Sequence, residues 1–196
     1  MQLQKKICLL GMYSVGKTSL IERFVYHRFS DHYLSTLGAK VTKKSLQISA
    51  SDGQQIEYNL LIWDIAGEET ENKIPPSYLL GAAGAILVAD LLRPETIEAL
   101  PSVLERFKEI NPGAAVVLAG NKKDLLQDIE SDSKEILRLA HQLKLPCHLT
   151  SAKTGCQVDS VFSALASSLL SRDEANQVIS PPKKKAKTRQ AKDQKR

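Results

Sequence analysis

The chain has 196 residues, 42% of them hydrophobic and 25% charged, which is enough for one buried core but short for two domains. Its formal net charge is +5, and residues 181–196 contain eight Lys or Arg and one acidic residue. This concentration excludes a basic binding face spread over the whole protein. The three cysteines, Cys8, Cys147 and Cys156, lack metal-ligand spacing and are typical of a reducing compartment.

Signals for export or membrane insertion are not found in the sequence. No apolar run reaches the roughly 20 residues that a membrane-spanning helix needs. Residues 1–6 are mostly polar and contain no apolar run, unlike a signal peptide. Residue Gln2 is not the glycine required for myristoylation, and the last four residues contain no cysteine for prenylation. We therefore expect a cytoplasmic protein without a lipid anchor.

Short apolar runs alternate with amphipathic helical patterns, which is typical of an α/β fold with a parallel sheet covered on both faces. Strands are predicted at residues 7–10, 41–49, 54–63, 84–89, 115–119 and 146–149, and helices at 17–29, 94–110, 131–143 and 158–169. The Asp52-Gly53 pair predicts a hairpin between the second and third strands. Pro75 and Pro76 predict a short or irregular segment within 68–80.

The apolar periodicity ends beyond Arg172. Pro181 and Pro182 then open the lysine-rich run. We therefore predict one domain at residues 1–172 and a basic, disordered tail at residues 173–196.

The stretch after the first predicted strand, Gly11-Met12-Tyr13-Ser14-Val15-Gly16-Lys17-Thr18, has the spacing G-x-x-x-x-G-K-[ST]. In such a loop successive backbone N–H groups surround phosphate oxygens, the lysine reaches the terminal phosphates, and the threonine hydroxyl binds Mg²⁺. The positive end of the following helix adds to anion binding. The predicted phosphate-binding residues are Gly11, Tyr13, Ser14, Val15, Gly16, Lys17, Thr18 and Ser19.

Two further motifs follow predicted strands and identify the nucleotide more closely. In Trp63-Asp64-Ile65-Ala66-Gly67, Asp64 supplies a carboxylate for Mg²⁺ and Gly67 an N–H for a γ-phosphate. In Asn121-Lys122-Lys123-Asp124, the Asp124 carboxylate can accept from both the ring N–H and the exocyclic amine of guanine. Adenine would leave that carboxylate unpaired, which is costly.

A last motif, Ser151-Ala152-Lys153, comes after the sixth predicted strand. One of its backbone N–H groups can donate to the guanine carbonyl. We expect it to complete a pocket for the base.

The motifs GMYSVGKT, WDIAGEE, NKKD and SAKTG occur in the order found in the Ras-like small GTPases, and residues 3–171 resemble the Rab-like members most closely. The resemblance implies a P-loop NTPase fold (G domain) with a six-stranded, mostly parallel sheet, one antiparallel edge strand and helices on both faces. It implies a monomer that binds GTP or GDP with Mg²⁺. It also implies protein effectors in the GTP state, an exchange factor and an activating protein.

The resemblance extends to single residues. Thr36 matches the switch threonine that ligates Mg²⁺ and senses the γ-phosphate in the GTP state. Lys122 matches the lysine that packs over the base, and Phe29 the aromatic residue beside it. The alternative for Phe29 is an ordinary core residue at a helix end.

Two residues depart from the family pattern. Glu68 stands where a glutamine usually orients the attacking water, and a carboxylate cannot donate through an amide N–H. Tyr13 stands where a small residue usually lies beside the γ-phosphate. We therefore expect slow GTP hydrolysis, with Lys17, Thr36 and Gly67 as the other catalytic residues. The alternative is that both side chains point outward and the rate is ordinary.

The basic tail leaves its partner open. Lys183-Lys184-Lys185-Ala186-Lys187 resembles a nuclear-import signal, and it also suits an anionic membrane or nucleic acid. Nuclear or peripheral membrane localisation is therefore compatible with it, as is a solvated tail. Three functions remain: a GTP-hydrolysing switch that recruits effectors, a guanine-nucleotide-binding scaffold with negligible turnover, and a nucleic-acid-associated GTPase acting through the tail.

Overall fold

A computed structural model describes residues 2–30, 35–51, 53, 55–67 and 74–179, with side chains up to residue 176. The strands are β1 (Gln2–Leu10), β2 (Ala39–Ser49), β3 (Gln55–Ile65), β4 (Gly84–Asp90), β5 (Ala115–Asn121) and β6 (Cys147–Leu149). They form one sheet in the order β2-β3-β1-β4-β5-β6. Strand β2 is antiparallel to β3, and the other neighbours are parallel. The predicted α/β fold with one antiparallel edge strand is confirmed.

Helices cover both faces of the sheet, as predicted. They are α1 (Lys17–Tyr26), α2 (Pro76–Leu79), α3 (Pro94–Glu98), α4 (Leu100–Ile110), α5 (Ile129–Asp132), α6 (Lys134–Leu143) and α7 (Val158–Ile179). Alternate residues of β1 enter different apolar clusters: Ile7 packs with Phe162 of α7, whereas Cys8 packs with Phe107 of α4. This alternation is what a strand buried on both faces requires. In the described ranges, no helix combines the length and apolarity needed to cross a bilayer.

Two helices differ from the predicted limits. Helix α1 ends at Tyr26, because His27 takes a left-handed conformation with φ 54°, so Phe29 lies beyond the helix. The helix predicted from Pro94 to residue 110 is divided at Ala99 into α3 and α4. Pro101 has no N–H to donate to Ile97, which favours a break at this point.

The last helix continues past Arg172 to Ile179. Asp173 accepts hydrogen bonds from Lys5 Nζ and from the Tyr58 hydroxyl, each at 2.7 Å. Glu174 accepts from the backbone N–H of Ser51 at 2.9 Å and from its hydroxyl at 2.8 Å. These contacts fasten the end of α7 to β1 and to the β2–β3 hairpin. The division at residue 172 stays a prediction, and residues 180–196 lie outside the described ranges.

Candidate nucleotide-binding site

The predicted motifs meet at one edge of the sheet. The phosphate loop follows β1, the Asp64 motif ends β3, the Asn121 motif ends β5, and the Ser151 motif follows β6. Since β1, β3, β5 and β6 run parallel, their carboxyl ends share that edge. Ligands of open parallel sheets bind at this place.

Two glycines of the phosphate loop combine a positive φ with a close approach to a neighbouring segment. Gly11 has φ 141°, and a Cβ there would lie 2.1 Å from the carbonyl oxygen of Val88. Gly16 has φ 95°, and a Cβ there would lie 2.3 Å from Nδ2 of Asn121. Any side chain at these positions would therefore displace the loop from the sheet or from the Asn121 motif.

Lys17 lies inside the loop. It is only 6% exposed, and its Nζ donates to the carbonyl oxygens of Gly11 and Met12 at 2.8 Å each. Burial lowers the pKa of Lys17 to about 8, although the nearby Asp64 carboxylate raises it in part. A Cβ on Gly67 would come 2.5 Å from Lys17 Nζ, so the β3 loop closes directly over the ammonium group. Only glycine leaves this space free.

Three side-chain oxygens converge next to Lys17. The Thr18 hydroxyl donates to Asp64 Oδ2 at 2.6 Å, and the hydroxyls of Thr18 and Thr36 are 2.9 Å apart. Asp64 Oδ1 is buried without a hydrogen-bond partner among the described residues. Burial raises the pKa of Asp64, and the Thr18 hydrogen bond and the Lys17 charge oppose this effect. Oxygen donors with an unsatisfied buried carboxylate oxygen fit Mg²⁺.

Asn121 joins the phosphate loop to the predicted base pocket. Its Nδ2 donates to Val15 O at 2.9 Å, and its Oδ1 accepts from Ala152 N at 3.2 Å and from the Thr150 hydroxyl at 3.3 Å. The hydroxyl of Ser151 donates to Asp124 Oδ1. The structure thus brings together the two motifs that sequence reasoning assigned to guanine.

A family model described as Ras family matches residues 6–171. The chain belongs to the Ras family. Among its relatives are the GTP-binding protein ypt5 of Schizosaccharomyces pombe, 35% identical over 177 residues, and Ras-related protein Rab-22A of Canis lupus familiaris, 33% identical over 172 residues. The alignments cover 89% and 86% of this chain, and 82% and 84% of those proteins. Ras-related protein Rab-13 of Rattus norvegicus is 34% identical over 166 residues, covering 84% of this chain and 79% of that protein.

This membership confirms the Rab-like resemblance and the function predicted from it. The Ras-family chain is a small GTP-binding switch and a GTPase that uses GTP or GDP with Mg²⁺. Its partner classes are effectors, exchange factors and activating proteins. Neither the scaffold function nor the nucleic-acid function gains support from the comparisons.

The roles predicted for Phe29 and Glu68 stay predictions. Phe29 lies beyond the end of α1, is half-buried and packs against the core cluster that includes Phe24. Its contact with a base stays a prediction. Glu68 lies outside the described residues.

Sequence reasoning missed three residues of this Ras-family site. Arg23 of α1 donates from Nε to Ala152 O at 2.8 Å and from Nη2 to Lys153 O, so it holds the base-pocket loop. Asp90, 2% exposed, accepts from Lys122 Nζ at 2.7 Å and from Arg93 Nε at 3.1 Å. A carboxylate that ends a buried strand, as Asp90 ends β4, was a usable signal, whereas Arg23 and Arg93 had none.

Proposed function

We propose that the residues gathered at this edge bind GTP and GDP and hydrolyse GTP slowly. The observation that supports this most strongly is the convergence of Thr18, Thr36 and Asp64 beside the buried Lys17. Lys17 and Thr18 begin α1, Thr36 precedes β2 and Asp64 lies near the end of β3, and they meet where a phosphate chain and its cation would lie. A structural role alone does not explain an ammonium and a carboxylate buried with an unsatisfied oxygen.

In this assignment the phosphate loop, residues 11–19, surrounds the phosphates. The Lys17 ammonium group leaves its carbonyl partners and binds the terminal phosphates. Thr18, Thr36 and Asp64 would hold Mg²⁺, which when bound neutralises charge on the β- and γ-phosphates. Thr36 acts as the sensor, because it precedes β2 and its hydroxyl lies 2.9 Å from that of Thr18. The Gly67 N–H donates to the γ-phosphate.

The base is assigned to the opposite end of the site. Asp124 accepts from the ring N–H and the amine of guanine, while Asn121 keeps the pocket attached to the phosphate loop. The remaining base contacts are assigned to Phe29, Lys122, Ser151, Ala152 and Lys153. The Ala152 N–H contacts Asn121 Oδ1 at 3.2 Å, a long hydrogen bond that leaves it able to share with a guanine carbonyl.

The slow rate is assigned mainly to Glu68. Its carboxylate cannot donate to the water and repels the γ-phosphate. Tyr13 contributes less, because its side chain is 42% exposed and its ring lies against Arg93, 5.4 Å from ring centroid to guanidinium carbon. This position agrees with the outward alternative for Tyr13.

Single-turnover phosphate release tests this proposal. Protein loaded with GTP and given Mg²⁺ would be compared with E68Q, Y13G and the matched control E130Q, an exposed carboxylate on α5. We expect E68Q to raise the rate about tenfold, because an amide can donate to the water, and E130Q to leave it unchanged. Equal rates for E68Q, Y13G and wild type would contradict slow hydrolysis caused by these residues, and no release by any variant would contradict hydrolysis itself.

For the tail we propose an anionic membrane surface as its contact, because each Lys or Arg near such a surface contributes on the order of 1 kcal/mol. Nucleic acid and a nuclear-import receptor are the competing partners of the same charges, and nuclear entry would follow from the last. Deleting residues 181–196 should abolish flotation with phosphatidylserine vesicles at low salt. Unchanged flotation, or a loss confined to RNA, DNA or receptor binding, would contradict the membrane contact.

A further inference from the structure

Arg93 contacts the phosphate loop at Tyr13, the loop residue that departs from the family pattern. It follows β4 and donates from Nη2 to the carbonyl oxygen of Tyr13 at 2.7 Å, while its Nε donates to Asp90 at 3.1 Å. The guanidinium also lies over the Tyr13 ring. The side chain of Arg93 is 26% exposed and that of Asp90 only 3%, so a nearly buried carboxylate fixes the position of the guanidinium group.

The Tyr13 carbonyl determines where the next amide points. The described residues contain no cis peptide bond, so the peptide between Tyr13 and Ser14 is trans and planar. In a trans peptide the C=O and N–H groups point in opposite directions. Arg93 therefore holds the Ser14 N–H on the side of the loop away from itself.

Ser14 needs such a contact to keep its conformation. Its φ is 60°, in the left-handed region that is unfavourable for a residue other than glycine. The hydrogen bond and ring contact made by Arg93 on the preceding residue offset this cost. Without them the peptide loses this support.

The affected amide belongs to the part of the loop nearest the terminal phosphates. Lys17, which reaches those phosphates in the proposed function, has its Nζ on the carbonyls of Gly11 and Met12, directly before Tyr13. The positive charge of Arg93 contributes to lowering the pKa of Lys17, which agrees with the two groups lying near each other. The base pocket is at the other end of the site.

We propose that Arg93 is a positioning residue that orients the Tyr13–Ser14 peptide so that the Ser14 N–H donates to the phosphates beyond the first one. This inference rests on the proposed function. Asp90 keeps its contact with Lys122 when Arg93 is removed, so the base end of the site is retained. The loss is therefore selective for nucleotides with two or three phosphates.

The test compares the affinities of GDP and GMP, with Mg²⁺ present, for wild type, R93A, R93K and the control R138A, an exposed arginine on α6. We expect R93A to weaken GDP about tenfold and GMP by less than about twofold, since one charge-assisted contact is lost. R93K keeps a positive charge beside Asp90, but a lysine cannot bind Asp90 and the Tyr13 carbonyl oxygen at the same time as the guanidinium group does. The GDP affinity of R93K should therefore fall almost as much as that of R93A. R138A should match wild type.

The amide proton chemical shift of Ser14 in the GDP-bound protein gives a second readout. It should move upfield in R93A and R93K, while that of Gly16 stays in place. Equal loss for GDP and GMP, or unchanged GDP affinity, would overturn the positioning role while leaving the proposed function intact. If R93A does not fold, the loss of GDP affinity relative to GMP affinity is measured in R93K instead. Wild-type protein that binds neither nucleotide would overturn both.

Discussion

The hydroxyl of Thr18 lies 2.6 Å from Oδ2 of Asp64, although the two residues are 46 positions apart in the sequence. One belongs to the first turn of α1, and the other to the end of β3. The contact leaves Oδ1 of Asp64 buried and without a partner among the described residues. The fold therefore holds a carboxylate that is incomplete without a cation.

Replacing Asp64 should make nucleotide retention independent of Mg²⁺. In wild type, chelation with EDTA should speed GDP release at least about tenfold, because the cation contacts are lost. D64N should release GDP fast with Mg²⁺ present, and EDTA should add less than about twofold. Release of a fluorescent GDP analogue measures both rates. The exposed control D159N should behave as wild type, and a D64N protein that still responds fully to EDTA would contradict the metal assignment.

The base assignment predicts a change of specificity at Asp124. D124N replaces an acceptor by an amide that can donate to the carbonyl of xanthine, which stands where guanine has its amine. GDP affinity should fall at least about a hundredfold, and XDP affinity should rise. Competition against a fluorescent nucleotide checks this. D128N, at the exposed N-terminus of α5, is the control, because asparagine also accepts hydrogen bonds there. Equal loss of both nucleotides would show that Asp124 has only a structural role.

The phosphate loop and the ends of β3, β5 and β6 were predictable because their chemistry is encoded by residue type at fixed spacing. The hairpin was predictable from Asp52-Gly53, although both strands are longer than their apolar runs. The start of β1 was not predictable, since four of the five residues from Gln2 to Lys6 are polar; they belong to the strand because they pair in register with Glu57 to Leu61. Pairing partners decide such limits, and they lie far away in the chain.

Arg23 and Arg93 illustrate what one sequence does not contain. Each acts through backbone carbonyls or through a second charged residue: Arg23 on Ala152, and Arg93 on Tyr13. Such contacts depend on how loops from different strands approach one another, so no local spacing encodes them. The extension of α7 past Arg172 was missed for a similar reason, because Asp173 and Glu174 hold it through polar contacts rather than an apolar stripe.

The core between α1 and α7 depends on one aromatic pair. The rings of Phe24 and Phe162 are stacked, with centroids 3.9 Å apart, and both side chains are buried. F162A should lower the free energy of unfolding by about 3–5 kcal/mol, because the lost contacts leave a cavity. Urea denaturation of the GDP-bound protein measures this. The exposed change S160A on the same helix should stay within about 0.5 kcal/mol of wild type, and a similarly small effect of F162A would contradict the packing account.

Truncation distinguishes the end of the domain from the end of the apolar stripe. A chain ending at residue 172 loses the carboxylates that pair with Lys5, Tyr58 and Ser51, and should be less stable by about 1–3 kcal/mol. A chain ending at residue 179 should match the full-length protein. The melting temperatures of the two truncated proteins and the full-length protein measure this difference. Equal stability of the two truncated proteins would support the limit at residue 172 and contradict the role of Asp173 and Glu174.

The central claim is a guanine-selective, Mg²⁺-dependent nucleotide site formed by Lys17, Asp64 and Asp124. The most direct measurement is displacement of a bound fluorescent GDP analogue by GTP and by ATP in the presence of Mg²⁺. Equimolar GTP should displace about half of the analogue, and ATP should displace none even at about a thousandfold excess, because adenine leaves the carboxylate unpaired. Displacement by ATP and GTP at similar concentrations, or failure of the analogue to bind at all, would contradict the account.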